Sequence, residues 1–476
     1  MTGNLAPRPL PVILRHPAFG AVWGAQVLTQ ASGRMFQVGV VWWLVSHAAG
    51  SERGLASGLF LAVSTLPAVA LAPLVARIIA RTPHRKVMSG AAVVAGLVAA
   101  VTAGWSYVTP PPLSLAYAAA LMLAGCQALF DPCLTTAVPD LVDEADIEAA
   151  TGFELSTQSL AGLGGGLLGP LVVDAWQLSG IVTGCACAYL LAGALVAATR
   201  FLRLPAGPAL TGAQTAAAAG MNAPPATGPA PVEPVPRTLR QVLAGLPFVR
   251  RVLLCFTAAN LFTTAVYVVM PLYTRSVLHA HGSTVAALEA ALGAGALAGS
   301  FTGARLPGAP ANVGGACLAL MAAALGLPGV VADRVTAVGA LAVAGWCVGV
   351  LGVRFVALFQ RLVPAADKPA FFAMMQALLG AAFPVSSLAF GALAERLSPQ
   401  VLCLVQAAGL APVAALLWWC GRIPANGPDA GHTSDPEPAT GTVSPARAAD
   451  RAGDTGAAAC DTTDRAGDAA VPGGSR

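Results

Sequence analysis

The chain has 476 residues, of which 56% are hydrophobic and only 10% charged, and its formal net charge is +4. A soluble globular protein carries about 25% charged residues, so a soluble fold is excluded. A charge balance this small gives no footing for nucleic acid, and none is expected as a partner.

In chain order, residues 1–17 form a short N-terminal segment expected in the cytoplasm. The opening MTGNLAPRPLPVILRHPAF is not a signal peptide, because the apolar run after it is too long and lacks a small-residue cleavage site. Apolar runs then follow at 18–46, 54–80, 86–108, 113–136, 152–173 and 177–202. A second set follows at 250–275, 284–305, 311–332, 335–360, 369–394 and 399–421, the ninth cut short by GLPGVV. Each is long enough to cross a hydrocarbon core of roughly 30 Å, for which about 20 residues suffice. The expectation is an all-α membrane protein of twelve transmembrane helices in two six-helix bundles, 18–202 and 250–421. Between them, 203–249 is a Pro-, Ala- and Gly-rich linker, and 422–476 is a polar, repetitive tail expected to be disordered.

The two bundles read as copies of one unit. Leu141, Val142, Ala145 and Asp146 recur as Leu362, Val363, Ala366 and Asp367, and Phe153, Gln158, Leu160 and Gly162 recur as Phe371, Gln376, Leu378 and Gly380. The two sets of matches read as two copies of one six-helix unit.

Cationic residues orient the spans. One set of flanks holds Arg8, Arg15, Arg77, Arg81, Arg85, Lys86, Arg200, Arg203, Arg237, Arg240, Arg250, Arg251, Arg305, Arg361, Lys368 and Arg422, while the other holds only Arg53, Arg275, Arg334 and Arg396. The rule puts the rich side, with both termini, in the cytoplasm. The Arg- and Ala-rich composition suggests a GC-rich bacterial source, hence the inner (cytoplasmic) membrane.

Several chemistries are disfavoured. The ten cysteines form no CxxC pair and sit mostly in apolar runs, where Cys is a small packing residue. His279 and His281 offer two metal ligands, too few for a site, so no metal is expected. Neither lysine, Lys86 or Lys368, stands in a phosphate-binding G-x-x-x-x-G-K-[ST] loop, so no ATP-binding domain, cofactor or enzymatic activity is expected.

What remains is polar chemistry at membrane depth, where an ionisable side chain costs about 3 kcal/mol on insertion scales. Arg34, Asp131 and Arg354 lie at that depth. Glu154 and Glu289 lie nearer helix ends, where solvation at the interface is the plain reading, Glu289 being the stronger functional candidate. Gly162 and Gly166, Gly165 and Gly169, and Gly295, Gly299 and Gly303 form stripes four apart that let helices touch closely. The Trp42–Trp43 and Trp418–Trp419 pairs are expected as interfacial anchors.

Three stretches together resemble the major facilitator superfamily, and within it the branch of enterobactin exporters and macrolide efflux proteins. They are LPAVALAPLVARIIARTPHRKVM, ALFDPCLTTAVPDLV with the run to Gly169-Pro170, and LVPAADKPAFFAMMQALLGAAFPVSSLAFGALAERL. The resemblance covers about residues 18–421. It departs where the family's loop Gly and Asp are Ala76 and Ala80, and where a Gly pair is Val172-Val173. The resemblance implies a gating loop carrying Arg81 and Arg85, a fifth helix ending in Gly165, Gly169 and Pro170, and an interface between helices 5 and 8. It also implies a cavity lined by helices 1, 4, 7 and 10, so Gln30, Gln37, Gln127 and Asn260 join Arg34, Asp131, Arg354 and Glu289 as candidate substrate or proton ligands.

The function expected is a monomeric, proton-coupled secondary exporter of a small molecule, working by alternating access in the bilayer. Arg34 and Arg354 against Asp131 leave one excess positive charge, which points to an anionic or oxygen-rich, siderophore-like cargo. The alternatives are a multidrug or macrolide pump, a proton-coupled importer, and a non-transporting receptor or scaffold.

Overall fold

A computed structural model describes residues 12–47, 53–143, 146–199, 247–364 and 368–422. The expected linker up to residue 246 and the tail from 423 lie outside the described residues, and so do Arg8, Arg200, Arg203, Arg237 and Arg240.

All regular elements among the described residues are helical. They are α1 (Val12–Arg15), α2 (Pro17–His47), α3 (Arg53–Ala70), α4 (Ala72–Arg81), α5 (His84–Val108), α6 (Leu113–Ala137) and α7 (Ile147–Ala198). The second half has α8 (Pro247–Thr263), α9 (Val266–Ser276), α10 (Gly282–Gly303), α11 (Pro310–Val330), α12 (Arg334–Leu362), α13 (Lys368–Leu393) and α14 (Pro399–Cys420). Nine helical stretches among them are long and apolar enough to cross a membrane. The 39-residue stretch Leu160–Ala198 supplies two crossings. With α2 and the α3–α4 pair, the crossings number twelve.

Local chemistry explains the breaks. The second crossing bends between α3 and α4, where Pro73 in the first turn of α4 has no N–H to bond back into α3. The seventh bends between α8 and α9, where the hydroxyls of Thr263 and Thr264 donate to the carbonyls of Ala259 and Asn260, 2.8 and 2.7 Å. Inside α7 the chain turns sharply at Trp176 and Gln177, Gln177 adopting φ 61°. That strained corner replaces a loop between crossings five and six.

Three apolar clusters organise the packing. One fills the second half and includes Phe355, Phe359, Phe371 and Tyr273. A second, around Phe19, Phe130, Leu134 and Leu141, fills the first half near the start of α2. The third lies near the end of α2, around Val41, Trp42, Phe60 and Ile181, and takes in Val268, Leu272 and Val285 from the second half. The apolar core is thus continuous between halves on the expected outer face.

Close contacts between helices of the two halves lie on that face too. A Cβ on Gly58 would meet the Ser387 carbonyl, and one on Gly391 would come within 2.8 Å of the Gly54 carbonyl, so α3 and α13 meet backbone to backbone. Asp174 spans the same boundary, accepting from Trp42 Nε1 (2.7 Å) and from the Gly282 amide at the start of α10 (2.5 Å). Trp42 is therefore no interfacial anchor: it is 2% exposed and tied to Asp174. Trp418 and Trp419 are exposed, as an anchor pair should be. On the opposite face α4 packs on its own half and leaves Leu74, Ala76 and Arg77 exposed.

Candidate functional site

A cavity of about 480 Å³ runs between the halves from mid-membrane toward the expected inner face. Its polar lining is Gln37, Ser64, Thr65, Gln127 and Asp131, all from the first half; the second half contributes Gly380 and Phe383. Asp131 lines it alone among ionisable carboxylates and bases. It sits on α6 one residue before Pro132, and its Oδ1 accepts from Gln127 Nε2 (2.9 Å) and Gln30 Nε2 (3.2 Å). No cation pairs with it among the described residues. Two neutral amides hold the carboxylate in position without cancelling its charge, and its remaining oxygen is open to the cavity.

Arg34 belongs to a second cluster that crosses the halves. Its Nη1 donates to Gln37 Oε1 (2.8 Å), and Gln37 Nε2 in turn donates to the Ser64 hydroxyl (3.2 Å). Its Nη2 lies 3.6 Å from Glu289 on α10, and its guanidinium stands 4.9 Å from the centre of the Tyr267 ring. Glu289 is thus a membrane-buried ion-pair partner. Gly166 on α7 leaves room for it, since a Cβ there would lie 3.1 Å from Glu289 Oε2.

Three sequence expectations are corrected here. Arg354 neither joins nor balances Asp131: its Nε donates to the Gly303 carbonyl (2.8 Å), and its buried Nη2 has no partner. Asn260 ties α8 to α13 by donating to the Leu379 carbonyl (2.9 Å), and it does not line the cavity. Glu154 is not solvated but 4% exposed, taking a 2.5 Å hydrogen bond from the Thr135 hydroxyl on Oε1 while Oε2 has no partner. With Arg354 turned away and Arg34 neutralised by Glu289, the cavity carries no positive excess. The charge argument for an anionic cargo fails with it.

The glycine stripes work within halves more than between them. Gly165 faces the Arg34 side chain, 2.6 Å from where a Cβ would sit, and Gly169 faces the Met35 carbonyl and the Gly39 amide on α2. Gly295, Gly299 and Gly303 press against α12, on Ala342, Trp346 and Val350, so this stripe is packing inside the second half rather than a face toward helix 5. A Cβ on Gly162 would meet no other helix. Pro170 is buried, its carbonyl directed at Gly282 across the boundary. In the loop motif, Arg85 donates to the Ala197 carbonyl at the end of α7, and Arg81 is exposed with no ion pair among the described residues. The carboxylate missing at Ala80 has a counterpart elsewhere: Asp146, at the start of α7, takes Arg15 at 2.6 Å and His16 at 3.0 Å. That pairing ties α1 to α7.

The features that sequence reasoning missed are Ser64, Thr65, Tyr189 and Tyr267, which complete the cavity and the Arg34 cluster. Serine and threonine are inconspicuous in membrane helices because each can bond its own helix; Ser64 and Thr65 both donate to the Leu61 carbonyl.

Comparison with known proteins places this geometry. The Major Facilitator Superfamily matches residues 22–332. No curated protein matches the sequence. Among solved structures, the nucleoside transporter NupG shares 9% identity at TM-score 0.62, covering 85% of this chain and 99% of its own. A bacterial homologue of the human lysosomal transporter Spinster, inward-facing and unoccupied, shares 11% at 0.61, with 85% and 97% covered. The POT family transporter PepTSo shares 10% at 0.61, with 85% and 98% covered. Twelve crossings in two halves, a cavity between them and a family match over more than half the chain lead to one conclusion: this multi-pass membrane protein belongs to the Major Facilitator Superfamily.

Proposed function

We propose that the chain is a proton-coupled exporter of an amphipathic organic cation, with Asp131 as the group that proton and cargo occupy in turn. The observation that carries this reading is the Asp131 carboxylate, which lines the cavity between two amides and has no cationic partner among the described residues. A cation leaving water needs an opposite charge, and Asp131 offers one. A single carboxylate neutralises either a proton or a cargo cation, so the two exclude each other and are exchanged. An inward proton gradient then drives cargo outward, which supports export over import. The tight outer contacts at Gly54, Gly58 and Asp174 support an inward-open state in which Asp131 releases its proton to water before cargo binds. The amide and hydroxyl lining supports a second cargo, a neutral macrolide-like compound, in keeping with the branch resemblance.

The test uses inside-out proteoliposomes with an acidic lumen. A lipophilic cation dye should accumulate on acidification, and Asp131→Asn should abolish proton-driven accumulation while leaving binding of a neutral macrolide. Accumulation of a catecholate anion in place of the dye, or an Asp131→Asn variant with unchanged coupling, would overturn the reading.

A further inference from the structure

Two apolar grooves open toward the lipid on α14. One, of about 720 Å³, runs between α14 and α11 and is lined by small apolar residues and Trp418, with no charged side chain. The other, of about 560 Å³, lies between α14 and α8 and differs in one respect: Arg251 stands in its wall beside Leu254, Val413, Leu416 and Trp419. Leu254, Leu416 and Trp419 are 61%, 47% and 62% exposed, so hydrocarbon covers this groove in a bilayer.

Its position on the fold supplies the charge. Helix α8 begins at Pro247 and α14 ends at Cys420, so the groove reaches the membrane surface where one helix starts and the other stops. Arg250 and Arg251 lie in the first turns of α8, both exposed and without an ion pair among the described residues. Arg422 follows α14 on the same face, its guanidinium 5.8 Å from the Trp418 ring centre.

We propose that this groove holds one anionic phospholipid, its phosphate at Arg250 and Arg251 and an acyl chain along Leu254, Leu416 and Trp419. Arginine forks match phosphate oxygens in two-point contacts, and a basic rim over an apolar cleft between membrane helices selects anionic headgroups. The α11–α14 groove has no charged side chain in its wall, its nearest cation being Arg422 over Trp418, whereas Arg251 stands in the wall of the α8–α14 groove itself. The site lies on the lipid-facing side and does not depend on the cargo assignment.

The experiment reconstitutes the full chain in nanodiscs containing a small fraction of bromine-labelled phosphatidylglycerol or, separately, bromine-labelled phosphatidylcholine. Quenching assigned to Trp419, from the difference between wild type and Trp419→Phe, should saturate at lower mole fraction with phosphatidylglycerol. The enrichment should be roughly five-fold for each arginine engaged. The double variant Arg250→Gln, Arg251→Gln should fold normally, since both side chains are exposed, and should quench alike with both lipids. Equal quenching in the wild type, or a preference that survives the double variant, would overturn the proposal. So would a Trp419 that neither lipid quenches, because another part of the chain would then fill the groove.

Discussion

The two halves descend from one repeated pattern, yet they use their polar residues in opposite ways. In the first half Gln37, Ser64, Gln127 and Asp131 direct side chains into the cavity between the halves. In the second half the conspicuous polar groups turn toward neighbouring backbone: Asn260 to Leu379, Arg354 to Gly303 and Gln406 to Phe262. Its Gly295, Gly299 and Gly303 stripe faces α12, and its aromatic rings form a packed core. On the function proposed above, the first half supplies most of the recognition and the second half mostly the wall against which it occurs. A repeat conserves the backbone plan without conserving which side chains do chemistry.

Removing the charge of the recognising half should have the largest effect. Asp131→Asn should lower proton-driven transport on the order of 10- to 100-fold, about 1.4–2.8 kcal/mol in barrier, while the protein stays inserted and folded. Transport kinetics on purified, reconstituted protein with a matched thermal melt would show it, and an equal loss from Asn260→Ala would erase the contrast between halves.

The pair joining the halves comes next. Glu289→Gln leaves Arg34 buried beside a neutral partner, a loss of about 3–5 kcal/mol where breaking a buried pair is unrelieved. Transport should fall several-fold, and the swap Arg34→Glu with Glu289→Arg should restore part of it. A swap no better than either single variant would make the pair incidental.

Packing in the wall should read out as stability rather than selectivity. Gly299→Leu forces a side chain into the Trp346 backbone and should cost about 1–3 kcal/mol or more by thermal melting. Gly165→Leu meets Arg34 Cβ and the Ala31 carbonyl, both fixed to the α2 backbone, so it should lose stability as well as transport. Asn260→Ala, which removes the hydrogen bond tying α8 to the Leu379 carbonyl, should cost about 0.5–1.5 kcal/mol without changing the ratio of rates between two cargoes.

The smallest effect is expected at Asp333, an exposed N-cap of α12. Its carboxylate accepts from the Thr336 amide (2.9 Å), which holds it below the ordinary carboxylate range. A depressed folded value contributes stability above the unfolded pKa, and that contribution fades as pH falls through the folded value. Asp333→Ala should therefore lower the melting temperature slightly at neutral pH and not at all in strong acid.

The crossings were legible because a long apolar run has few other fates, and the depth of Arg34 and Asp131 was legible because charges are rare there. Gln30, Gln37 and Gln127 were expected near the cavity and are found around Asp131 and Arg34. The direction in which a polar residue points was not legible. A membrane helix is apolar on nearly every face, so no periodicity distinguishes the face of Arg354 that meets Gly303 from one that meets a cavity. Glu154 failed for a related reason: closeness to a helix end suggested water, but Thr135 and the packing of α2 on α7 enclose it. Orientation, linker and termini rest on the charge flanks, and a reporter fused after Arg422 should report cytoplasm.

The contact between α3 and α13 bears on timing. Gly54 and Gly58 meet Gly391 with no side chain between them, so at the α3–α13 crossing the seam that closes the expected outer face has no interlocking side chains. Smooth surfaces separate without passing through a high ridge, and no rotamer has to be undone on the way. The dwell time of this state then depends on the apolar cluster that spans the boundary and on the polar ties that cross it, Asp174 to the Gly282 amide and Arg34 to Glu289. Such a transporter has part of its clock in two bonds, and its speed can be retuned by changing either without touching what it carries.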